Sequence, residues 1–377
     1  MLISRSAATI RRMKSLAMCV LFSGVLLSHS SPAEIQLGLI DLPDGFNITV
    51  YAEGVENARQ LARGDAGTVF TGSRRAGKVW AVTDADGDHH AEQVRLIASG
   101  LNMPSGLEFR NGALYVAEVQ RILRYDGIET RLDEPPEPVL VTGDLPDKKH
   151  HGWKYLRFSP DDRLYIPLGV PCNVCDEEGF GEIRHMSPNG GEMVTFARGV
   201  RNSVGLAFHP GNGQLWFTDN GRDHLGDDLP ADELNHAPGP GLHFGFPYCH
   251  QGDLPDEEFG QDRDCAEYTA PVANLDPHGA ALGLAFYTGD MFPPVYRNRL
   301  FIVQHGSWNR SEKIGYRILV LDVEPDGTVL KNEVFASGWL QGQQAWGRPN
   351  DVFVMPDGAL LVADDYADVI YRISYSQ

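Results

Sequence analysis

Polar residues flank a short apolar hairpin in the stretch GVRNSVGLAFHPGNGQLWFTDNGRD. Two apolar runs, residues 204–208 and 214–218, are separated by HPGNG, a spacing that predicts two antiparallel strands joined by a turn. Because a hairpin brings its open ends together, we expect Arg201, Asn202 and Asn220 to lie within side-chain reach of one another. Arginine suits bidentate carboxylate binding, while amide and main-chain oxygens suit calcium. The same residues would also serve as a structural ion pair at a rim.

Histidine and arginine recur at corresponding places in other parts of the chain. His150 and His151 precede an apolar hairpin in KKHHGWKYLRF, and a neutral imidazole beside a bound alcohol can take its proton near pH 7. Basic residues also occur in QHGSWNR, 304–310, and in WGRPND, 346–351. The carboxylate-rich segment 220–235 lacks the spacing of an EF-hand calcium loop. Convergence of basic groups from several segments is more informative than any one of them.

These segments adjoin a phrase that occurs six times: apolar strand, turn with Gly or Asp, apolar strand, polar loop. The copies lie at residues 61–73, 106–118, 156–169, 205–221, 283–307 and 351–365. A third strand-like run such as KVWAVTD follows several copies, and helical periodicity is almost absent. We therefore predict an all-β protein, a six-bladed β-propeller of four-stranded antiparallel blades, as a single domain over residues 34–377. Residues 236–281 interrupt the repeats and are expected to form a long loop over one face.

Residues 1–33 have the pattern of a secretory signal, with four basic residues before the apolar run LAMCVLFSGVLL and small residues before Glu34. We therefore expect a periplasmic or secreted protein. Removal of this segment moves the net charge from −19 to −23, because it carries four basic and no acidic residues. So acidic a chain is an improbable partner for nucleic acid. No later apolar run approaches the ~20 residues of a membrane span.

Four cysteines follow the predicted signal: Cys172, Cys175, Cys249 and Cys265. An even count in an exported chain predicts two disulfides. Three pairings are possible, and Cys172 with Cys175 and Cys249 with Cys265 are favoured because each pair closes a short loop. A redox-active CxxC, or half of a zinc site, is the alternative.

Several of these segments together resemble a known family. HGWKYLRFSPDDRLYIPLG, RNSVG…TDNGRD…DELN, FYTGDMFPPVYRNRLFIVQHGSWNRS and GRPNDVFVMPDG resemble the glucose/sorbosone dehydrogenase family, in particular its sorbosone-dehydrogenase-like branch, from about residue 43 to 375. Members are soluble pyrroloquinoline quinone (PQQ) enzymes with six-bladed propellers. The resemblance implies a PQQ- and calcium-dependent dehydrogenase that oxidises a sugar or a related alcohol or aldehyde by hydride transfer to PQQ. Electrons would then leave to an external acceptor.

The resemblance also implies roles for single residues. The catalytic base of the family falls on His151. The cofactor-binding Arg-Asn pair falls on Arg201 and Asn202, and a further cofactor arginine falls on Arg348. A lysine expected in the fifth blade has no clean match, and Arg310 is the nearest candidate.

The family's calcium ligands map onto the hairpin and the segment that follows it. A side-chain amide, on Asn220, would also approach the cofactor. Main-chain carbonyls of Gly221 and Arg222 would complete the set. A further family calcium site would use Glu233 and the carbonyl of Phe244.

The chain departs from the family pattern at two positions. Asn350 replaces an arginine, and Val170 replaces the aspartate that orients the catalytic histidine in glucose dehydrogenases, which leaves Asp144 or Asp176 as substitutes. His278 either faces the substrate or is structural. Two alternatives therefore stay open: a calcium-dependent propeller hydrolase of the lactonase type, and a non-catalytic binding propeller.

Overall fold

The computed structural model describes Met1 and residues 34–376. The predicted secretory segment, residues 1–33, lies outside the described residues apart from Met1. In the described part, the strands are, in chain order, β1 Phe46–Glu53, β2 Ala58–Arg63, β3 Val69–Ser73, β4 Val79–Thr83, β5 Gln93–Ala98, β6 Gly106–Arg110, β7 Ala113–Ala117, β8 Ile122–Asp126, β9 Val139–Thr142, β10 Arg157–Phe158, β11 Leu164–Leu168, β12 Glu182–Met186, β13 Val194–Arg198, β14 Gly205–Phe208, β15 Leu215–Asp219, β16 Asp232–Ala237, β17 Leu242–His243, β18 Cys249–His250, β19 Leu254–Pro255, β20 Ala273–Leu275, β21 Ala281–Phe286, β22 Leu300–Gln304, β23 Arg317–Val323, β24 Val329–Ala336, β25 Leu340–Gln341, β26 Gln344–Ala345, β27 Pro349–Val354, β28 Leu360–Asp364 and β29 Val369–Tyr375. Short 3₁₀ helices span Leu37–Leu39, Ile128–Thr130, Cys265–Glu267 and Pro294–Tyr296.

These strands form six blade sheets and two small two-stranded sheets, β18-β19 and β25-β26, and the predicted six-bladed β-propeller of four-stranded antiparallel blades is confirmed. Blades 1, 2, 3 and 5 use consecutive strands, β2–β5, β6–β9, β10–β13 and β21–β24. Blade 4 has the order β14-β15-β16-β20, and blade 6 has the order β27-β28-β29-β1. In blade 6, Phe46 lies opposite Tyr375 in an antiparallel ladder. The two ends of the propeller chain therefore share one sheet, which closes the ring without a covalent link.

The hydrophobic core is divided among the six interfaces between neighbouring blades, each with its own apolar cluster. The second strands of the blades read as apolar runs because both of their faces are covered; β15, LWFTD, is buried throughout. Outer strands such as β5 are partly exposed. This burial explains why the strand-turn-strand phrase, rather than a whole blade, is the visible repeat in the sequence.

The segment 236–281 is not one long loop, as the sequence suggested. It contains β20, the fourth strand of blade 4, which pairs with β16. It also contains β17, which adds in parallel to the outer strand of blade 3. These strands have only two and three residues, so they leave no alternating pattern within a segment that is rich in Gly and Pro.

Both favoured disulfides are present, Cys172–Cys175 and Cys249–Cys265. The first follows β11 of blade 3, and the second lies within the segment 236–281. Among the described residues, no helix is long and apolar enough to cross a membrane.

Candidate active site

The hairpin of β14 and β15 places three polar side chains together, as the sequence predicted. Its turn is tight because Gly213 takes a φ of +69°, which favours glycine. At the open end, the Arg201 Nη1 donates to the main-chain oxygen of Asn220 at 3.1 Å. Asn220 Nδ2 in turn donates to the main-chain oxygen of Asn202 at 3.1 Å.

A buried carboxylate fixes this end of the hairpin. Asp219, the last residue of β15, accepts the main-chain N–H groups of Arg201 at 2.7 Å and of Asn202 at 2.6 Å. Burial raises the pKa of Asp219, while these two N–H groups oppose the rise. These two hydrogen bonds hold the main chain of Arg201 and Asn202 in place, which fixes the positions from which their side chains extend.

Both ends of the hairpin open into a cavity of about 700 Å³. Six basic residues line it: Arg59, Arg74, Arg75, Lys149, Arg201 and Arg348. The carboxylates in its wall are Asp223 and Asp232, and the imidazoles are His150, His151, His278 and His305. This surplus of basic side chains, in a protein with a net charge of −19, is the charge pattern that suits an anion.

His151 is buried in the cavity wall with one ring nitrogen already committed. Its Nδ1 lies 2.9 Å from the main-chain oxygen of Val170. Since a carbonyl can only accept, Nδ1 carries the proton and Nε2 keeps its lone pair. Burial lowers the pKa of His151 to about 2, and the charges of Arg201 and His150 act in the same direction. The ring is therefore neutral at physiological pH.

The predicted carboxylate partners of this histidine are wrong. The carbonyl of Val170 takes the orienting role, and it does so from the position where the family pattern has an aspartate. Asp176 instead accepts a hydrogen bond from Tyr248 at 2.6 Å. The main-chain group was invisible to sequence reasoning because any residue type supplies a carbonyl.

Blade 1 contributes an arginine that sequence reasoning missed. Arg74 lies over the ring of Trp153, 3.6 Å from its centroid, and its buried Nε has no hydrogen-bond partner. Burial lowers its pKa to about 10, and Arg59 and Arg75 add to the effect. The dipeptide Arg74-Arg75 directly follows the second strand of the first repeat, as Asn220 follows that of the fourth. That shared position could have identified it.

A second group lies between blades 1, 5 and 6, and of its members the sequence reasoning indicated only the segment 304–310, which contains His305. Asp365 accepts from Arg59 at 2.6 Å and lies 2.7 Å from His305 Nε2. Burial lowers the pKa of His305 to about 4, although the charge of Asp365 opposes the shift. The predicted Arg348 does line the cavity, and it is held by donation to the main-chain oxygen of Gly306 at 2.8 Å.

The predicted calcium ligands lie partly in this cavity. Asn220 and Gly221 line it, and the Gly221 N–H donates to the Asp232 carboxylate at 2.9 Å. Asn220 Nδ2 also donates to Ala281 at 2.8 Å, so the amide nitrogen is fully used and the amide oxygen is left to act as a ligand. Arg222 does not line the cavity, and its side chain pairs with Asp256.

The second set of predicted metal residues lies elsewhere. The Glu233 carboxylate accepts the main-chain N–H of Gln251 at 2.7 Å and the Asn235 amide at 3.0 Å. Burial raises the pKa of Glu233, and nearby carboxylates add to the rise. Phe244 is buried and packs edge-on against Phe217. Neither Glu233 nor Phe244 lines the cavity.

Three other predicted positions have clear surroundings. Arg310 lies outside the cavity lining, pairs with Asp228 at 3.3 Å and donates to nearby main-chain oxygens. Asn350 is buried and donates to the Ala58 carbonyl at 2.6 Å. His278 lines the cavity, and its Nε2 lies 2.9 Å from the Gly226 carbonyl.

Known proteins share this architecture. An uncharacterized protein of Borreliella burgdorferi is 30% identical over 370 residues, 94% of this chain and 95% of the relative. The iodide structure of a Trichoderma reesei carbohydrate-active enzyme of family AA12 superposes with a TM-score of 0.80 at 18% identity, over 92% of this chain and 100% of that one. The holo form of the pyranose dehydrogenase PQQ domain from Coprinopsis cinerea gives a TM-score of 0.76 at 16% identity, over 89% and 97%.

The match extends to a family model. A model described as TrAA12-like covers residues 40–375, almost the whole propeller. The resemblance to PQQ-dependent sugar dehydrogenases that the sequence indicated is confirmed. The chain belongs to the TrAA12-like family.

Proposed function

We propose that this protein is a PQQ- and calcium-dependent dehydrogenase that oxidises a sugar or a related alcohol or aldehyde and passes the electrons to an external acceptor. The observation that carries the proposal is a single cavity in which six basic side chains surround a neutral histidine with a free Nε2. The predicted secretory segment supports a reaction in the periplasm or outside the cell. Membership of the TrAA12-like family supports it.

The charge of the cavity suits PQQ, which carries three carboxylates. Arg201 and Arg348 are oriented by neighbouring main-chain oxygens and line the cavity. Arg74 also lines the cavity, so its guanidinium adds to the positive charge that a bound anion would meet. Bringing three carboxylates beside these guanidiniums would offset a charge that the acidic surface otherwise repels.

The oxygen donors beside Arg201 suit calcium. The amide oxygen of Asn220 and the main-chain oxygens of Gly221 and Arg222 are hard ligands, and the buried Asp232 lies beside them. Burial raises the pKa of Asp232 to about 7, a cost that a nearby cation would reduce. Bound PQQ would supply the acceptor for the substrate hydride, and calcium held by these oxygens would act on it as a Lewis acid.

His151 would take the hydroxyl proton of the substrate at Nε2. The Val170 carbonyl holds the ring and fixes the tautomer, so the lone pair is present before substrate arrives. In the cofactor-free protein, the low pKa of His151 comes mainly from burial and partly from the charge of Arg201. An anion that neutralises this arginine would raise the pKa of His151 and make it a better base.

The mouth of the cavity offers an aromatic surface for a sugar. Trp308 lines the cavity yet leaves 68% of its surface exposed. An exposed tryptophan at a polar site gives the apolar face of a sugar ring a flat contact area, while its indole N–H stays available. The site therefore combines an apolar platform with polar groups, as small-ligand sites do.

The test is dye-linked oxidation of a panel of aldoses by protein reconstituted with PQQ and calcium. We expect dye reduction that requires both additions and that falls by at least about 100-fold in His151→Ala, the contribution of a general base. His90→Ala, which removes an exposed histidine, is the matched control and should leave activity unchanged.

Two outcomes would overturn the proposal. Folded, calcium-loaded protein that does not bind PQQ would favour a binding propeller. Acid release from a lactone without dye reduction would instead favour a calcium-dependent hydrolase.

A further inference from the structure

The loop closed by the Cys172–Cys175 disulfide contacts Arg201, a residue of the cavity lining, through one residue. Asn173 lies between the two cysteines and is half-buried. The proposed function assigns it no role. Its contacts nevertheless all go to groups at the edge of the anion site.

Asn173 joins the loop after β11 of blade 3 to Arg201, which precedes β14, and to Asp223, which follows β15, by four hydrogen bonds. Arg201 donates from Nε to the Asn173 carbonyl and from Nη2 to Asn173 Oδ1, both at 2.9 Å. The main-chain N–H of Asp223 also donates to Oδ1 at 2.9 Å, and Asn173 Nδ2 donates back to the Asp223 carbonyl at 3.0 Å. The amide thus uses both of its polar atoms on this junction.

These contacts decide how Arg201 is presented. Its Nη2 lies 3.3 Å from the Asp223 carboxylate, a partner that would compete with a bound anion. Asn173 Oδ1 accepts from the same Nη2, and the Asn173 amide also hydrogen-bonds the main chain of Asp223. A bidentate Arg201–Asp223 pair therefore does not form. The guanidinium stays buried and fixed in orientation, and four of its five N–H donors are in use, which leaves one N–H of Nη1 for an external carboxylate.

The disulfide limits where Asn173 can be. A bridge between positions that are three apart closes a very short loop, so the backbone of Asn173 has few conformations available. Both hydrogen bonds to Arg201 depend on that backbone, one directly through its carbonyl.

We infer that Asn173 is a positioning residue for Arg201 and that the Cys172–Cys175 disulfide fixes it there, so that this loop sets the affinity for the anionic cofactor. The inference rests on the proposed function. It assigns the CxxC element a role in binding without any change in its oxidation state.

The experiment measures PQQ binding to calcium-loaded protein by titration calorimetry. We expect the dissociation constant to rise about 10-fold in Asn173→Ala, the loss of one hydrogen bond to a charged group. It should rise in the same direction in the double variant Cys172→Ser/Cys175→Ser. Saturating PQQ should return the turnover number of Asn173→Ala to near the wild-type value. A purely structural defect would lower turnover at saturation as well.

The matched control is Asn189→Ala. It removes an amide that accepts from Arg124 at 2.8 Å, on exposed residues away from the cavity, and should leave PQQ affinity unchanged. Unchanged affinity in both Asn173→Ala and the double variant would overturn the inference while leaving the proposed function intact. Wild-type protein that fails to bind PQQ would overturn the proposed function and this inference with it.

Discussion

Burial fixes the protonation state of His151 at the level of the single residue. Its pKa is lowered to about 2 in the folded chain, whereas an unfolded histidine has a pKa of about 6.5. Between these values the unfolded chain binds a proton that the folded chain does not. Stability is therefore lost as the pH falls below about 6.5.

His151→Gln should remove this contribution. Below pH 6.5, the free energy of unfolding of the wild type should fall more steeply than that of the variant, by up to about 1.4 kcal/mol per pH unit. Urea titrations of cofactor-free protein at a series of pH values measure the difference. His90→Gln is the matched control, and parallel curves for wild type and His151→Gln would contradict the prediction.

At the same scale, the sequence identified some site residues and missed others for physical reasons. Arg201 and Asn202 were predictable because a hairpin fixes its own open ends. Arg74 was missed because its contact with Trp153 joins two blades, although its place directly after the second strand of the first repeat could have identified it. The Val170 carbonyl was missed because main-chain groups leave no trace in residue types.

At the level of elements, the two disulfides close loops of different size. Cys249 and Cys265 are 16 positions apart, and Cys172 and Cys175 are three apart. In the chain-entropy description, the longer loop gives about 3 kcal/mol of stabilisation and the shorter about 2 kcal/mol.

Replacing Cys249 and Cys265 by alanine should therefore destabilise the protein more than replacing Cys172 and Cys175. Denaturant unfolding of the two double variants compares them directly. An equal or reversed order would show that native contacts around these loops, rather than the entropy of the unfolded chain, decide their stability.

Six repeats in the sequence were enough to predict six blades, because each copy supplies the two buried strands of a sheet. The outer strands were less predictable. Strand β17 has two residues and β20 has three, too few for any alternation to be read. Their places are set by pairing with strands already in position.

For the whole molecule, ring closure brings the ends of the chain to the active-site cavity. Arg59 of blade 1 pairs with Asp365, which precedes β29 of blade 6. Both Arg59 and Arg348 line the cavity. The interface between the first and last blades therefore forms part of the wall of this cavity.

Buried carboxylates give the whole molecule a pH dependence opposite to that of His151. Burial raises the pKa of both Asp232 and Asp351 to about 7. Above about pH 4 the unfolded chain has lost protons that these groups keep when folded. Their contribution to stability is therefore present at low pH and is lost as the pH rises toward 7.

Asp232→Asn and Asp351→Asn should each reduce the fall in the free energy of unfolding between pH 4 and 7. In calcium-free protein the reduction should be up to about 1.4 kcal/mol per pH unit. Only Asp232 accepts from Gly221, beside the proposed calcium ligands, whereas Asp351 accepts from Tyr155 at 3.1 Å. Calcium should stabilise ionised Asp232, and so flatten the curves of wild type and Asp351→Asn but not that of Asp232→Asn. Urea titrations with calcium or with a chelator measure this. An equal calcium effect in both variants would place the ion away from Asp232, because removal of the Asp232 carboxylate would then not change the effect of calcium.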